Sequence, residues 1–130
     1  MKPKFRAWLK EEYRMTDVNE ITFIDGEVYL ISDVTGFYAY EEFKLMQSTG
    51  LRDKNGKEIF EGDIVKFPEF NGDIYITPVA WDKSCACFGV SFSGKYPVSF
   101  DYLEEFYTEL KEIEVVGNIY ENPELLEGEE

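Results

Sequence analysis

Four carboxylates crowd one short stretch of this chain: Asp53, Glu58, Glu61 and Asp63. Such side chains could hold a divalent cation or activate a water, because hard cations take oxygen ligands and hydrolysis needs a base. They would act without imidazole, since the chain contains no histidine. Acid–base work would then fall to carboxylates, lysine, tyrosine or cysteine. Their setting argues for a different role. Asp53 opens Asp53-Lys54-Asn55-Gly56, and Asp63 follows the glycine of Glu61-Gly62-Asp63. Asp close to Gly is what tight turns require: the glycine takes positive φ and the carboxylate bonds local backbone. No further ligand at a defined spacing accompanies the four. The turn role is preferred, and a carboxylate metal enzyme is the least favoured function.

Other chemistries find less support. Cys85-Ala86-Cys87 is a poor start on a four-ligand zinc site when no histidine exists. On a strand both thiols would point to one face, which is also poor geometry for a disulfide between them. They read as small apolar residues in a reducing compartment. Asn55-Gly56-Lys57 lacks the flanking glycines and the Lys-Ser/Thr ending of a phosphate loop. No Gly-x-Ser-x-Gly elbow occurs either. The expectation is a protein that is not an enzyme, with no cofactor and no metal.

Charge narrows the partners. The net formal charge is −14 over 130 residues. From Asp101 to Glu130 there are eleven acids against one base, Lys111, a balance of −10. A surface that binds duplex works by neutralising phosphates with Lys and Arg. This chain would repel phosphate, so direct nucleic-acid binding and anionic membranes are both disfavoured. No apolar run approaches the ~20 residues of a membrane span, and Met1-Lys2-Pro3-Lys4-Phe5-Arg6 lacks the apolar core of a secretion signal. A bacterial cytoplasmic location is expected.

Short strands must position these residues. Aromatics make up 17% of the chain, a level that favours pleated, half-buried surfaces. Phe5, Ala7 and Leu9 alternate with Arg6, Trp8 and Lys10 as in a strand. Glu20 to Asp25 and Glu27 to Ser32 flank Asp25-Gly26, a tight hairpin signal. The stretch from Asp33 to Glu42 has no clear period. Lys44 to Ser48 predicts a strand, Thr49-Gly50 a bend, and Asn55-Gly56 a second tight turn. Ile64 to Phe67, Asp73 to Asp82 and Cys85 to Phe92 predict further strands, the middle one interrupted at Pro78. In the last of these, Ala86, Phe88, Val90 and Phe92 share a face suited to the core. From Ser99 to Lys111, Phe100, Leu103, Phe106, Tyr107 and Leu110 recur at helical spacing, with Ser99 as cap. Ile113, Val115, Gly117 and Ile119 predict a final strand, and Asn122-Pro123-Glu124 the start of one helical turn.

Two segments are specific enough to carry a resemblance. The first is Leu45 to Val65, with Gln47-Ser48-Thr49-Gly50-Leu51, Asp53, Gly56, Gly62 and Asp63 at its heart. The second is Val116 to Leu126, containing Gly117-Asn118-Ile119-Tyr120-Glu121-Asn122-Pro123. Together they resemble the YopX family of phage and prophage proteins. The resemblance implies a mainly β protein: an SH3-type small barrel, an N-terminal β-rich extension and one short amphipathic helix. On that division residues 1–43 form the extension, 44–123 the barrel and 124–130 a short acidic tail. The motif residues are expected to be structural, and to meet if the first and last barrel strands adjoin. The family brings a fold and an origin without an activity.

The function expected on these grounds is protein–protein contact with an unidentified partner, self-association included. Tyr102, Tyr107 and Tyr120 are candidate interface residues, since tyrosine is enriched at interfaces, although core packing suits Tyr107 better. The alternative is an acidic decoy of a basic host DNA-binding factor. Asp101, Glu104, Glu105, Glu109 and Glu112 would line one side of the Ser99–Lys111 helix as its contact face.

Overall fold

Alternating apolar residues and closely spaced glycine turns produce a chain of short antiparallel strands, described in a computed structural model over residues 4–68, 72, 74–82, 87–92, 96–99 and 112–127. The strands are β1 (Phe5–Leu9), β2 (Arg14–Asp17), β3 (Glu20–Ile24), β4 (Glu27–Asp33), β5 (Gly36–Ala39) and β6 (Phe43–Arg52). After them come β7 (Glu58–Phe60), β8 (Asp63–Pro68), β9 (Ile74–Asp82), β10 (Cys87–Phe92), β11 (Tyr96–Ser99) and β12 (Glu114–Asn118). A 3-10 turn at Tyr40–Glu42 precedes β6, and a single helical turn, α1 (Glu124–Glu127), follows β12. The protein is mainly β, as the residue pattern predicts. Among the described residues, no helix is long and apolar enough to cross a membrane.

The chain divides into two compact units, Met1–Ser48 and Thr49–Glu130, with the division inside β6. In the first unit β1 lies between β2 and the first half of β6, pairing Leu9 with Phe43 and Phe5 with Gln47. A separate three-stranded sheet runs β3-β4-β5. Its hairpin turns at Asp25 and Gly26, with φ of 51° and 81°, as the Asp-Gly pair predicts. Ala7, Leu9, Ile31 and Phe43 form a buried core, joined by Val18, Ile21, Val28, Tyr38 and Leu45.

The second unit is a five-stranded antiparallel sheet ordered β11-β10-β9-β8-β12, together with the pairing of β7 against β6. It has the small-barrel character that the turn spacing implies. Its core is separate from the first: Ile59, Val65, Phe67, Val79, Val90 and Ile113, with Leu51, Tyr75, Phe88 and Val115 packed around them. Burying side chains of this size stabilises by roughly 1.5–3 kcal/mol each. Phe88 and Val90 take the core positions that their alternation predicts.

Several details depart from expectation. Asp33–Glu42 is ordered, as the end of β4, the whole of β5 and the 3-10 turn. β6 continues through Thr49 and Gly50, with Gly50 at φ 82° inside the strand, the backbone freedom a bulge uses. β9 is unbroken at Pro78. Pro78 is the last β9 residue paired with β8, and Val79 is the first paired with β10, so the missing amide falls where one partner hands over to the next. Ser99 ends β11 opposite Gly89 rather than beginning a helix. The rest of the expected helix, residues 100–111, lies outside the described residues, as does Cys85.

Candidate functional site

The signature carboxylates are best followed one at a time. Asp53 is buried just after β6. Its Oδ1 accepts the amides of Asn55 at 2.9 Å and Lys57 at 2.8 Å, and its Oδ2 accepts the amide of Val115 on β12 at 2.9 Å. The first two bonds close the turn that the Asp-x-x-Gly spacing predicts, with Gly56 N donating to Asp53 O. The third ties that turn to a strand 62 residues away. Lys54 N adds a bond to Ile113 O. Burial alone would raise the Asp53 carboxyl, but the amides of Val115, Lys57 and Asn55 outweigh it and hold the group below its ordinary value. With both oxygens engaged and the charged form favoured, Asp53 is poorly placed to take a proton.

Asp63 repeats the device. It is buried at the start of β8, and its Oδ2 accepts the amide of Phe60 at 2.7 Å across the corner. Between them Gly62 takes φ of 88°, a conformation that costs an L-residue about 1 kcal/mol or more. Gly62 also joins three elements, donating to Val79 O and accepting from Ile119 N. Glu58 and Glu61 are half-buried at the ends of β7 and the corner, each with its own interactions. Among the described residues, no three His, Cys, Asp or Glu side chains come close enough to hold a metal ion.

The second motif folds as a self-bonded loop. Asn118 Oδ1 accepts the amides of Tyr120 at 3.0 Å and Glu121 at 2.9 Å, while Asn118 N donates to Asn122 Oδ1 and Asn122 N to Asn118 O. Gly117 is dictated by this neighbour: a Cβ there would meet Asn122 Oδ1 at 2.6 Å and its Cβ and Cγ at 2.8 Å. Pro123 then supplies a carbonyl to Leu126 N as α1 begins. In the first motif, Ser48 N bonds Lys4 O, and Thr49 Oγ1 donates to Ile59 O at 2.7 Å while accepting from Leu51 N. Gln47 pairs with Phe5, and Leu51 packs on the second core. The two motifs therefore meet through Asp53–Val115 and Gly62–Ile119, and their residues shape backbone. Of the candidate acidic contact face, Glu112 is exposed, while Asp101, Glu104, Glu105 and Glu109 lie outside the described residues.

A second polar cluster, absent from the sequence reading, sits in the first unit around Asp33. Its Oδ2 accepts Thr16 Oγ1 at 2.7 Å and Arg14 Nη2 at 3.1 Å. Its Oδ1 accepts Thr35 Oγ1 at 2.6 Å, Thr35 N at 2.7 Å and Gly36 N at 3.1 Å. The Thr35 hydroxyl, followed by Thr16, the Thr35 amide and Arg14, holds the Asp33 carboxyl far below the usual range despite burial. Arg14 also reaches Glu12, Thr35 and Tyr38, and Tyr38 and Arg14 together keep Glu12 depressed. The local half was legible: Asp33-Val34-Thr35-Gly36 has Asp first and Gly fourth, a turn pattern. No spacing signals that Arg14 and Thr16 would arrive from β2. Beside this cluster a cavity of about 40 Å³ is lined by Leu9, Glu11, Glu12, Tyr38 and Glu42. It has room for water, not for a substrate.

Comparisons with known proteins agree with this picture. A search of curated proteins finds no match. The crystal structure of protein EF1440 from Enterococcus faecalis is similar over 97% of this chain and 99% of that one, with 30% sequence identity and a TM-score of 0.73. The family model for YopX protein matches residues 4–127, a span that holds both motifs and both units' cores. The chain therefore belongs to the YopX protein family.

Proposed function

We propose that this protein is a non-enzymatic interaction module of phage or prophage origin that works by protein–protein contact in the bacterial cytoplasm. One observation carries the reading. The three-stranded sheet leaves large apolar side chains in solvent: Phe37 at 69%, Phe23 at 59%, Tyr40 at 56% and Ile24 at 49% exposure. Scattered exposed apolar residues are ordinary, but several on one small sheet suit a contact surface, where aromatics are enriched. The saturated carboxylates and the small cavity support the same reading, since neither suits turnover. Sedimentation across a concentration series, with affinity capture from lysogenic cells, tests it. Reversible self-association or a specific captured protein is expected. A strict monomer that retains no protein overturns it.

A second reading rests on charge. The −10 balance of the last thirty residues suits a decoy for a basic DNA-binding factor. Capture of such a factor should weaken steeply with ionic strength; yields indifferent to salt would exclude this reading.

A further inference from the structure

From Asp17 to Glu42 the chain carries seven Asp or Glu residues and no Lys or Arg. This stretch includes the whole β3-β4-β5 sheet, and it also holds most of the exposed aromatic surface of the first unit. Register places the two features together. Thr22 pairs with Leu30 and Leu30 with Ala39; Glu20 pairs with Ser32 and Ser32 with Phe37. Because cross-strand partners share a face and side chains alternate along a strand, Glu20, Thr22, Ile24, Phe37 and Ala39 lie on one side. The opposite side holds Ile21, Ile31 and Tyr38, which face the core. Pairing shifts between Thr22 and Phe23, leaving Tyr29 as the extra residue of β4. Its ring lies 6.4 Å from that of Tyr40, and both rings are about half exposed. Tyr40 in turn donates to the Glu41 carboxylate at 3.0 Å.

We infer that this outer face, with Phe37, Tyr29 and Tyr40 as ring platforms and Glu20, Glu27 and Glu41 around them, docks a Lys/Arg-rich segment of a partner protein. The argument is complementarity. Ring faces attract guanidinium and ammonium groups, and carboxylates beside the rings add charge-assisted hydrogen bonds. The face itself offers no cation to compete for them. Asp33, the buried acid of the same sheet, is already matched by Arg14 from β2, so the acids on the outer face are a distinct set. An apolar partner would bury these carboxylates unpaired, which is costly. A second copy of this chain would bring a further fourteen negative charges to the interface. The inference rests on the interaction-module reading and names its occupant.

The test titrates the whole protein with a short Arg/Lys-rich peptide while following backbone amide resonances, at low and at physiological salt. Saturable shifts centred on residues 20–24, 27–30 and 36–41 are expected. Phe37→Ser combined with Tyr40→Ser should weaken binding about tenfold, as the loss of two ring–cation contacts implies. Tyr40→Phe alone, which keeps a ring, should bind nearly as well as the parent. Both substitutions are at exposed positions, and far-UV circular dichroism verifies that each variant is folded. Shifts centred on residues 101–130, affinity unchanged by the double substitution, or equal affinity for a serine-substituted peptide would each overturn the inference. Absence of peptide binding would also overturn it, while self-association or protein capture in the same preparation would leave the module reading standing.

Discussion

Asp53 and Asp33 are both buried carboxylates held ionised by hydrogen bonds, yet they are built from different material. Asp53 is held entirely by main-chain amides, two from its own turn and one from β12. Asp33 takes two amides from its own turn and adds two hydroxyls and a guanidinium, so part of its cage is mobile side chain and part comes from another strand. The difference teaches where each unit is vulnerable. Removing Asp53 orphans backbone donors that cannot move away, and it releases the turn from the strand that closes the barrel. Removing Asp33 frees side chains that can turn toward water.

The sharpest way to break this contrast is Asp53→Ala. It leaves three amides without an acceptor and should cost about 3 kcal/mol or more, read as a lower urea midpoint. Asp33→Ala should cost less, about 1–2 kcal/mol, because its hydroxyl and guanidinium donors can be rehydrated. Equal losses would remove the distinction. Next in size is Gly117→Ala, where the clash with Asn122 should cost about 1–3 kcal/mol. Pairing it with Asn122→Ala should recover part of that loss in a double-mutant cycle, and strict additivity would show that the Asn122 contact is not the cause.

Acid titration sharpens the comparison further. Both carboxylates have folded pKa values below their unfolded ones. Their contribution is therefore complete above the unfolded value near 4 and is lost as pH falls through the folded values. Stability should decline below about pH 5. Asp33, displaced further, should dominate the slope at the acid end, so Asp33→Asn should flatten the profile more than Asp53→Asn does. The reverse order would mean that main-chain donors outweigh the Thr–Arg cage. The smallest effect is expected at Phe37→Ser. This side chain is mostly exposed, so stability should stay within about 0.5 kcal/mol while association suffers.

Legibility followed sequence distance. The Asp25-Gly26 hairpin, the Asn55-Gly56 turn and the Gly62 corner could be read because each needs only neighbours within four residues and a glycine where φ turns positive. That the two motifs would meet followed from their places in a closed barrel; that Val115 N would be the atom Asp53 receives did not. Pro78 misled for a related reason. A proline interrupts a strand only where its amide is needed, and that need depends on which neighbour β9 has at that point. Gly50 likewise suggested a bend where a strand tolerates positive φ.

Arg14 illustrates the other limit. It stands 19 residues from Asp33 in a strand with no motif of its own, and only the packing of β2 against the β4–β5 turn brings them within 3.1 Å. By itself, the order of residues determined strand period, turn type, net charge and family membership, because these depend on local sterics and on composition. Tertiary structure alone decided which buried acids found side-chain partners and which aromatic rings remained in water, because both depend on surfaces that distant segments cover or leave open.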